Sequence, residues 1–401
     1  MKLGHLEPRG GLEKGRFFGY FYRVFLQRIQ LRNFRNFEDE TVDFPERGAA
    51  LIGDNGQGKT NLLEAIYYLE IFRSFRGARD EQLIRFGTDH FRVEGSLVEA
   101  GGAEVTVAAA YRREGRRKKV TLNGDEPQRF GEAIGRIGAI VFTASDVEIV
   151  AGGPAARRRF LDIILSLVEP DYLAVLQRYR RILTQRNESL REGASPSELA
   201  AWNHGLVDAG CSIIEARARW VAEQRAGFAR YYEKISGGQQ ASIDYAPSIP
   251  KPTGDRAAPI DRHGWIEAFH GRLQRLAERE RRRGVTLAGP HRDELKFRVG
   301  NSSDAVGLRS FGSAGQQRTA AVALRMVEAE TLRAALGGEP IIMLDDVFAE
   351  LDPPRSERVV ELLAAEEWGQ VLVTSPKPSE FALMGDSLAE YRIAAGTLRR
   401  V

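Results

Sequence analysis

The clearest signal in the chain is Gly53-Asp54-Asn55-Gly56-Gln57-Gly58-Lys59-Thr60, which directly follows the apolar run 49–52. The spacing G-x-x-x-x-G-K-[ST], between a predicted strand and a helical pattern over 60–72, is typical of a phosphate-binding loop. Glycines let backbone N–H groups turn toward an anion, and the following helix presents its positive end to that anion. We therefore predict that all eight residues bind ATP, with a chance glycine-rich turn as the alternative. Lys59 would bind the β- and γ-phosphates as a catalytic residue, and the Thr60 hydroxyl would coordinate Mg²⁺.

A second apolar run, residues 341–344, ends in two carboxylates, Asp345 and Asp346. A carboxylate at the C-terminal end of a parallel strand, beside a phosphate-binding loop, is suited to hold a metal ion, so Asp345 is predicted to share Mg²⁺ with Thr60. Asp346 is predicted to act as the general base that polarises the attacking water. A helix N-cap is the alternative role for Asp346. Because the loop and these carboxylates lie near opposite ends of the chain, both ends must contribute to one domain.

The patterning divides the chain into four segments. Residues 1–22 are expected to be a disordered N-terminal extension, and 23–145 the N-terminal part of an ATPase head, with the loop and several short strands. Residues 146–284 are expected to form an α-helical arm, because most of this segment is rich in Arg and Leu and poor in glycine. Residues 285–401 return to alternating strands and helices. The predicted fold class is α/β: a P-loop head built from both ends of the chain, with an inserted α-helical arm.

The composition excludes several classes of protein. Lys and Arg number 58 against 55 Asp and Glu, a net charge of +3, so a polyanion would have to be bound by local patches. The lone cysteine, Cys211, cannot form an intrachain disulfide, which fits a reducing, cytoplasmic location. No run approaches the roughly 18 apolar residues that span a membrane, so no membrane association is expected.

Further motifs carry a family resemblance. The segment Ser313-Ala314-Gly315-Gln316-Gln317-Arg318 resembles the signature of ABC-type ATPases in the form used by chromosome-maintenance and repair proteins. Glu350-Leu351-Asp352 resembles the D-loop of the same superfamily. More narrowly, the chain resembles the RecF family of bacterial recombination mediators from about residue 24 to residue 374. Apart from the motifs already quoted, the matching segments are 31–37, 152–162, 185–187 and 289–293.

The resemblance implies an ABC-type ATPase head with a composite nucleotide site. Ser313, Gly315 and Gln316 would bind the γ-phosphate of a nucleotide held by a second copy, which gives an ATP-dependent homodimer. A plain helix N-cap is the alternative for Ser313. Asp346 and Thr374 stand where transporter ATPases carry a glutamate and a switch histidine. We therefore expect a weak, DNA-stimulated ATPase that acts as a slow switch.

The resemblance also implies a function in DNA replication, recombinational gap repair and SOS induction. The protein would be an ATP-gated dimeric clamp on single-stranded DNA or on single-strand/double-strand junctions, with RecR, RecO and, indirectly, RecA as partners. Its candidate DNA contacts are six cations at a predicted hairpin: Arg112, Arg113, Arg116, Arg117, Lys118 and Lys119. A solvated, charge-rich turn is the alternative for this cluster. The alternative functions are the ATP-driving subunit of a membrane transporter and a non-hydrolysing structural dimer.

Three polar residues have less specific interpretations. Gln82 is available for the glutamine loop of the superfamily, or it is a surface residue. His291 and Asp293 are two possible metal ligands without a third, which favours a structural hydrogen-bonding role.

Overall fold

The computed structural model describes residues 24–99, 102–250, 262–301, 304–347, 351–366, 368–375 and 388–401. The expected extension, residues 1–22, lies outside this part of the chain. The described strands are β1 (Phe25–Phe34), β2 (Phe37–Asp43), β3 (Gly48–Ile52), β4 (His90–Val98), β5 (Glu104–Arg112), β6 (Arg117–Leu122), β7 (Ala139–Thr143), β8 (Ala241–Ala246), β9 (Glu294–Val299), β10 (Val306–Gly307), β11 (Ile341–Asp345), β12 (Val371–Ser375), β13 (Ala389–Ala394) and β14 (Thr397–Arg400). The described α-helices are α1 (Lys59–Ile71), α2 (Asp80–Leu83), α3 (Val147–Ala151), α4 (Pro154–Val168), α5 (Tyr172–Arg191), α6 (Pro196–Ser236), α7 (Arg262–Arg283), α8 (Leu308–Phe311), α9 (Ala314–Leu336) and α10 (Pro353–Ala365).

The central sheet has the strand order β14-β13-β3-β12-β11-β7 and is parallel except for the β13–β14 hairpin. Strands β3 and β7 come from the N-terminal part of the chain, and the other four come from the C-terminal part. Every residue of β3 and of β11 is buried, as expected for parallel strands that are covered on both faces. This sheet confirms that the head is α/β and is built from both ends of the chain.

Helix α1 lies between the central sheet and a second, antiparallel sheet with the order β2-β1-β4-β5-β6. It contacts β7, β11 and β12 of the first sheet and β1, β4 and β5 of the second. Eleven of its thirteen residues are buried, which is typical of a helix that is covered all round. The phosphate-binding loop therefore starts a helix that is held rigidly by two sheets.

The inserted arm consists mainly of α4, α5, α6 and α7. Helix α6 is 41 residues long, begins at Pro196 after the Ser195 N-cap, and ends at Ser236 before Gly237, a C-cap in the left-handed conformation. The structure differs from the prediction in one element, because β8 lies within the predicted helical segment and pairs with β9 in a third sheet, β10-β9-β8. Its alternation is too short to be recognised without the distant partner strand.

Arg157 joins the arm to the head at the start of α4. Its side chain is 2% exposed and donates to the carbonyl oxygens of Ile149, Val150 and Gly152. It also binds both carboxylate oxygens of Glu294 on β9, at 2.5 and 3.0 Å. A buried guanidinium with this many partners fixes the orientation of two segments at once. Within the described ranges, no helix is both long enough and apolar enough to cross a membrane.

Candidate functional site

The loop between β3 and α1 turns at two glycines with positive φ values. Gly56 and Gly58 have φ values of 82° and 120°, in the region that favours glycine. A Cβ at Gly58 would lie 2.7 Å from Asn36 Nδ2, whereas nothing lies within 4 Å of the Cβ position at Gly56. The Lys59 side chain is buried and donates to the carbonyl oxygens of Gly53 and Asp54, at 2.5 and 3.1 Å. The lysine is thus held inside the loop, with its charge facing the concave side.

Thr60 and Asp345, the two predicted metal ligands, lie side by side. Thr60 Oγ1 donates to Asp345 Oδ1 at 2.9 Å, although the two residues are 285 positions apart. Thr374 Oγ1 donates to the same oxygen at 3.0 Å. Burial raises the pKa of the Asp345 carboxyl above its ordinary value, and the hydrogen bonds from Thr60 and Thr374 oppose this effect. A hydroxyl and a carboxylate oxygen at this separation are the hard ligands that Mg²⁺ prefers, so these residues fit the ion.

Asp346 lies directly after β11 with a φ of 49°, a left-handed conformation that aspartate tolerates better than most residues. Its backbone N–H donates to Thr374 Oγ1 at 3.2 Å. Thr374 therefore contacts both acidic residues, a role that the sequence alone did not indicate. The parallel register places Asp345 between Thr374 on β12 and Thr143 on β7, so the three strand ends meet at one edge of the sheet.

Two turns distant in sequence support the loop, and sequence reasoning missed both. Asn36 Nδ2, in the β1–β2 turn, donates to the carbonyl oxygen of Gln57 at 2.9 Å. In the β13–β14 turn, the Ala395 N–H donates to Gln57 Oε1 at 2.7 Å. The Gly396 N–H donates to the Gln57 carbonyl oxygen at 3.2 Å. Asn61 Nδ2 in turn donates to Asn36 Oδ1 at 2.8 Å. The loop is therefore clamped between the first and last hairpins of the described chain.

A buried carboxylate extends this support into α1. Glu64 is fully buried and accepts hydrogen bonds from Arg35 Nε and Nη2, both at 2.8 Å, and from the Ser74 hydroxyl. Arg35 also donates to the Gln82 carbonyl oxygen at 3.1 Å. Arg35, Asn36, Asn61 and Gln82 line a cleft of about 490 Å³ beside the loop. The sequence marks residues 31–37 only as a segment that resembles the family. The structure shows that Arg35 binds Glu64 of α1 and that Asn36 supports the phosphate-binding loop at Gln57.

The signature segment lies at the N-terminus of α9. The exposed Ser313 hydroxyl accepts from the Gln316 N–H at 3.2 Å, and Gln316 Oε1 accepts from the Ser313 N–H at 2.9 Å, so the pair forms a capping box. Helix α9 is joined to the strand end of β7, because Arg325 binds Asp146 at 2.6 Å and Asp146 accepts from the Thr143 N–H at 2.8 Å. Both expected roles of Ser313, cap and phosphate ligand, are compatible with this position.

The D-loop segment is described only in part, because Glu350 lies outside the described residues. Asp352 is the N-cap of α10, and its side chain accepts from the Arg355 N–H at 3.0 Å. This contact gives Asp352 a structural role within one copy of the chain.

The predicted DNA contacts lie on the β5–β6 hairpin, but they are not equivalent. Arg112, Arg113, Arg116, Arg117 and Lys119 are exposed. Lys118 instead points inward: it donates to the Phe72 carbonyl oxygen, pairs with Asp80 at 3.1 Å and lies 4.7 Å from the centre of the Tyr68 ring. Burial lowers the pKa of Lys118, and Asp80 opposes that effect.

The remaining polar candidates have structural partners. Gln82 Oε1 accepts from the Arg79 N–H at 2.8 Å. His291 bonds to the Tyr179 hydroxyl at 2.6 Å and to the Thr286 carbonyl oxygen at 3.1 Å, and Asp293 accepts from the Ser248 N–H at 2.7 Å. Among the described residues, no group of three or more His, Cys, Asp or Glu side chains could hold a metal ion.

The phosphate-binding loop follows β3, and Asp345 ends β11, which lies two strands away in the central sheet. This strand order defines the class: the protein is the head of an ABC-type ATPase. The family model described as the RecF/RecN/SMC N-terminal domain matches residues 25–397. The chain is 35% identical over 364 residues to the DNA replication and repair protein RecF of Synechococcus sp. (strain JA-3-3Ab), covering 89% of this chain and 93% of the relative. It is 33% identical to the protein of the same name from Geobacillus sp. (strain WCH70), covering 93% and 98%. The chain belongs to the RecF family of DNA replication and repair proteins.

Solved structures agree with this assignment. The structure of the recombination mediator protein RecF-ATP in the RecFOR pathway superposes with a TM-score of 0.85 at 27% identity and covers 96% of this chain and all of that one. A second structure, RecF-ATPrS, gives a TM-score of 0.83 at 28% identity, with coverages of 94% and 98%. The Smc head domain from Pyrococcus furiosus, at 15% identity and a TM-score of 0.54, shares the fold.

Proposed function

We propose that this protein is an ATP-dependent, dimeric DNA clamp of replication and recombinational gap repair. The observation that carries the proposal is the convergence of Lys59, Thr60 and Asp345, from both ends of the chain, around one glycine-rich loop. The solved relative named RecF-ATP supports ATP as the ligand. Membership of the RecF family leaves the alternative of a membrane transporter subunit without support.

ATP would lie in the concave loop formed by residues 53–60, with Lys59 on its β- and γ-phosphates. Mg²⁺ would be held by Thr60 and Asp345, and when bound it would supply charge neutralisation for the phosphates. Asp346 would orient and polarise the attacking water as a general base. Thr374, which contacts the Asp345 carboxylate and the Asp346 backbone N–H, would keep the Asp345 side chain and the Asp346 backbone in place. Because Asp346 has a shorter side chain than glutamate, slow, switch-like hydrolysis is expected.

The second half of the site would come from another copy of the chain. Ser313 is exposed, and Gly315 and Gln316 partly exposed, at a helix N-terminus, where N–H groups and the helix dipole favour an anion. Phe311, two residues before Ser313, is 77% exposed, and Val306 is 43% exposed. Large apolar side chains exposed beside a polar anion site suit a surface that is buried on dimerisation. ATP sandwiched between the two copies would then stabilise the dimer by mass action.

DNA binding would be sequence-independent. The exposed hairpin cations Arg112, Arg113, Arg116, Arg117 and Lys119 can neutralise backbone phosphates, while Lys118 is paired with Asp80 and points away from this surface. Single strands or single-strand/double-strand junctions are the proposed DNA, with RecR, RecO and indirectly RecA as partners in gap repair and SOS induction. The cytoplasm is the proposed location.

Light scattering with and without ATP and Mg²⁺ tests the clamp. The wild-type chain should dimerise only with ATP, DNA should tighten the dimer, and Lys59→Met should stay monomeric. Asp346→Asn should trap the ATP-bound dimer, because binding is kept and hydrolysis is slowed by about 100-fold or more. A wild-type monomer with ATP demonstrably bound would refute the composite site. A dimer whose lifetime is the same for wild type and Asp346→Asn would instead favour the non-hydrolysing structural dimer.

A further inference from the structure

A large cleft lies between the β6 edge of the antiparallel sheet and the arm helices α4 and α5. Its volume is about 790 Å³, and both the head and the arm contribute to its walls. Ile134, Ile163 and Leu173 form part of an apolar floor and are only partly buried. Phe130 is 44% exposed at this floor, and its ring packs on Phe72 with the ring centres 5.3 Å apart. The cleft therefore presents a supported aromatic ring to solvent.

Five cations line the cleft, and they come from four separate segments of the chain. Arg73 and Arg79 follow α1, are exposed, and form no ion pair with a described residue. The other three belong to β6, α4 and α5: Lys118, Arg159 and Arg180. No sequence window contains this set, so only the fold reveals the basic character of the cleft.

The two carboxylates among the described lining residues are already paired. Asp80 binds Lys118 at 3.1 Å. Asp162 binds Arg217 at 2.8 Å and Arg180 at 2.9 Å. Because both acids are engaged within the protein, the cleft keeps an excess of positive charge for an external anion.

We propose that this cleft binds a single strand of nucleic acid, a step that rests on the DNA-binding function proposed above and assigns the strand a location. Cations spaced along a groove neutralise successive phosphates, and an exposed aromatic ring stacks on a base. The Phe130 ring can stack only on a base that has a free face, which favours a single strand over the interior of a duplex. All the described lining residues belong to one copy of the chain, so the cleft can hold a strand before ATP joins two copies into the clamp.

The test uses the full chain without ATP and a fluorescein-labelled oligothymidylate, with a duplex of equal length for comparison. Arg73→Glu combined with Arg79→Glu should weaken binding at least tenfold and lower the salt dependence, the slope of log K against log salt, by about 1.4, about 0.7 for each lost phosphate contact. Phe130→Ala should weaken single-strand binding about tenfold and leave duplex binding unchanged. The matched control is Arg281→Glu with Arg282→Glu, two exposed arginines at the end of α7, which should bind as wild type does. An oligonucleotide carrying 5-iododeoxyuridine should cross-link to the peptide that contains Phe130.

Three outcomes would overturn the proposal. Equal binding by wild type and the cleft variants would place the strand elsewhere and leave the proposed DNA function intact. An equal loss in the Arg281/Arg282 control would show a general charge effect. Binding of an acidic Glu/Leu peptide, lost in the cleft variants while no oligonucleotide binds, would assign the cleft to a protein partner. Failure of ATP-dependent dimerisation, measured separately, would affect none of these readings.

Discussion

Glu70 in α1 gives the sharpest quantitative prediction, because a buried carboxyl near the end of this helix makes stability depend on pH. Its Oε2 accepts from the N–H groups of Ile137 and Gly138 at 3.1 and 2.9 Å, and its Oε1 is buried without a hydrogen-bond partner among the described residues. Burial raises the pKa of Glu70 to about 8, against an ordinary value of 4.5, despite the opposing backbone hydrogen bonds. The native state therefore keeps a proton that the unfolded chain releases.

The sign follows from this difference in proton binding. As pH rises from 4.5 toward about 8, the unfolded chain loses the proton first, so the free energy of unfolding falls. The pKa difference is about 3.5 pH units, and at about 1.4 kcal/mol per unit the total loss is about 5 kcal/mol. Below pH 4.5 Glu70 is protonated in both the native and the unfolded state, so it no longer makes the free energy of unfolding depend on pH.

Urea unfolding of wild type and Glu70→Gln between pH 5 and pH 8.5 measures this effect. Glutamine has no proton to lose, so the stability difference between the two proteins should change by about 1.4 kcal/mol per pH unit across most of this range, in favour of the variant at high pH. The exposed Glu233→Gln serves as the matched control for the loss of one carboxylate. A Glu70→Gln difference that is independent of pH would refute the buried, protonated carboxyl.

Three further predictions concern the supports of the site and the arm. Arg157→Met should cost about 3 kcal/mol in urea unfolding, because Glu294 and three carbonyl oxygens lose their partner, and a cost below about 1 kcal/mol would contradict this role. Asn36→Ala should weaken ATP binding about tenfold in calorimetric titration, since the loop loses its hydrogen bond at Gln57, and unchanged affinity would show that the bond does not position the loop. Burial lowers the pKa of His291 to about 4, so its contribution to stability is present above about pH 6.5 and is lost as pH falls toward 4. Its ring resonances should accordingly not titrate above pH 5 in NMR, and a midpoint near 6.5 would contradict the burial argument.

Those parts of the fold that depend on local pattern could be predicted from the sequence. The loop at residues 53–60 and the strand ending at Asp345 each combine apolar runs with residue types that have one common use. Because the two motifs lie near opposite ends of the chain, a head assembled from both ends was also predictable. The central sheet, with β3 and β11 separated by β12, confirms this.

Contacts between distant turns could not be predicted in the same way. Nothing near Gln57 in the sequence indicates that Asn36 and Gly396 will support it. Each of these two residues lies in a short turn, and the order of the strands in the sheets determines that both turns lie beside the phosphate-binding loop. The inward orientation of Lys118 was missed for a related reason: sequence places it within a run of exposed cations, and only the fold brings it against Tyr68, Phe72 and Asp80. Strand β8 was missed because its pairing partner β9 lies beyond α7.

The claim that two copies share one nucleotide site is tested most directly by mixing two inactive proteins. Lys59→Met disables the loop, and Ser313→Arg blocks the signature segment, so neither variant alone should form a competent site with ATP. Mixed together, they can form one intact site, from the loop of the Ser313→Arg chain and the signature of the Lys59→Met chain. We predict that only the mixture shows ATP hydrolysis and ATP-dependent dimers, and that adding a chain with both changes to either single variant restores neither. No recovery in the mixture, although Ser313→Arg alone still binds ATP, would contradict the shared site.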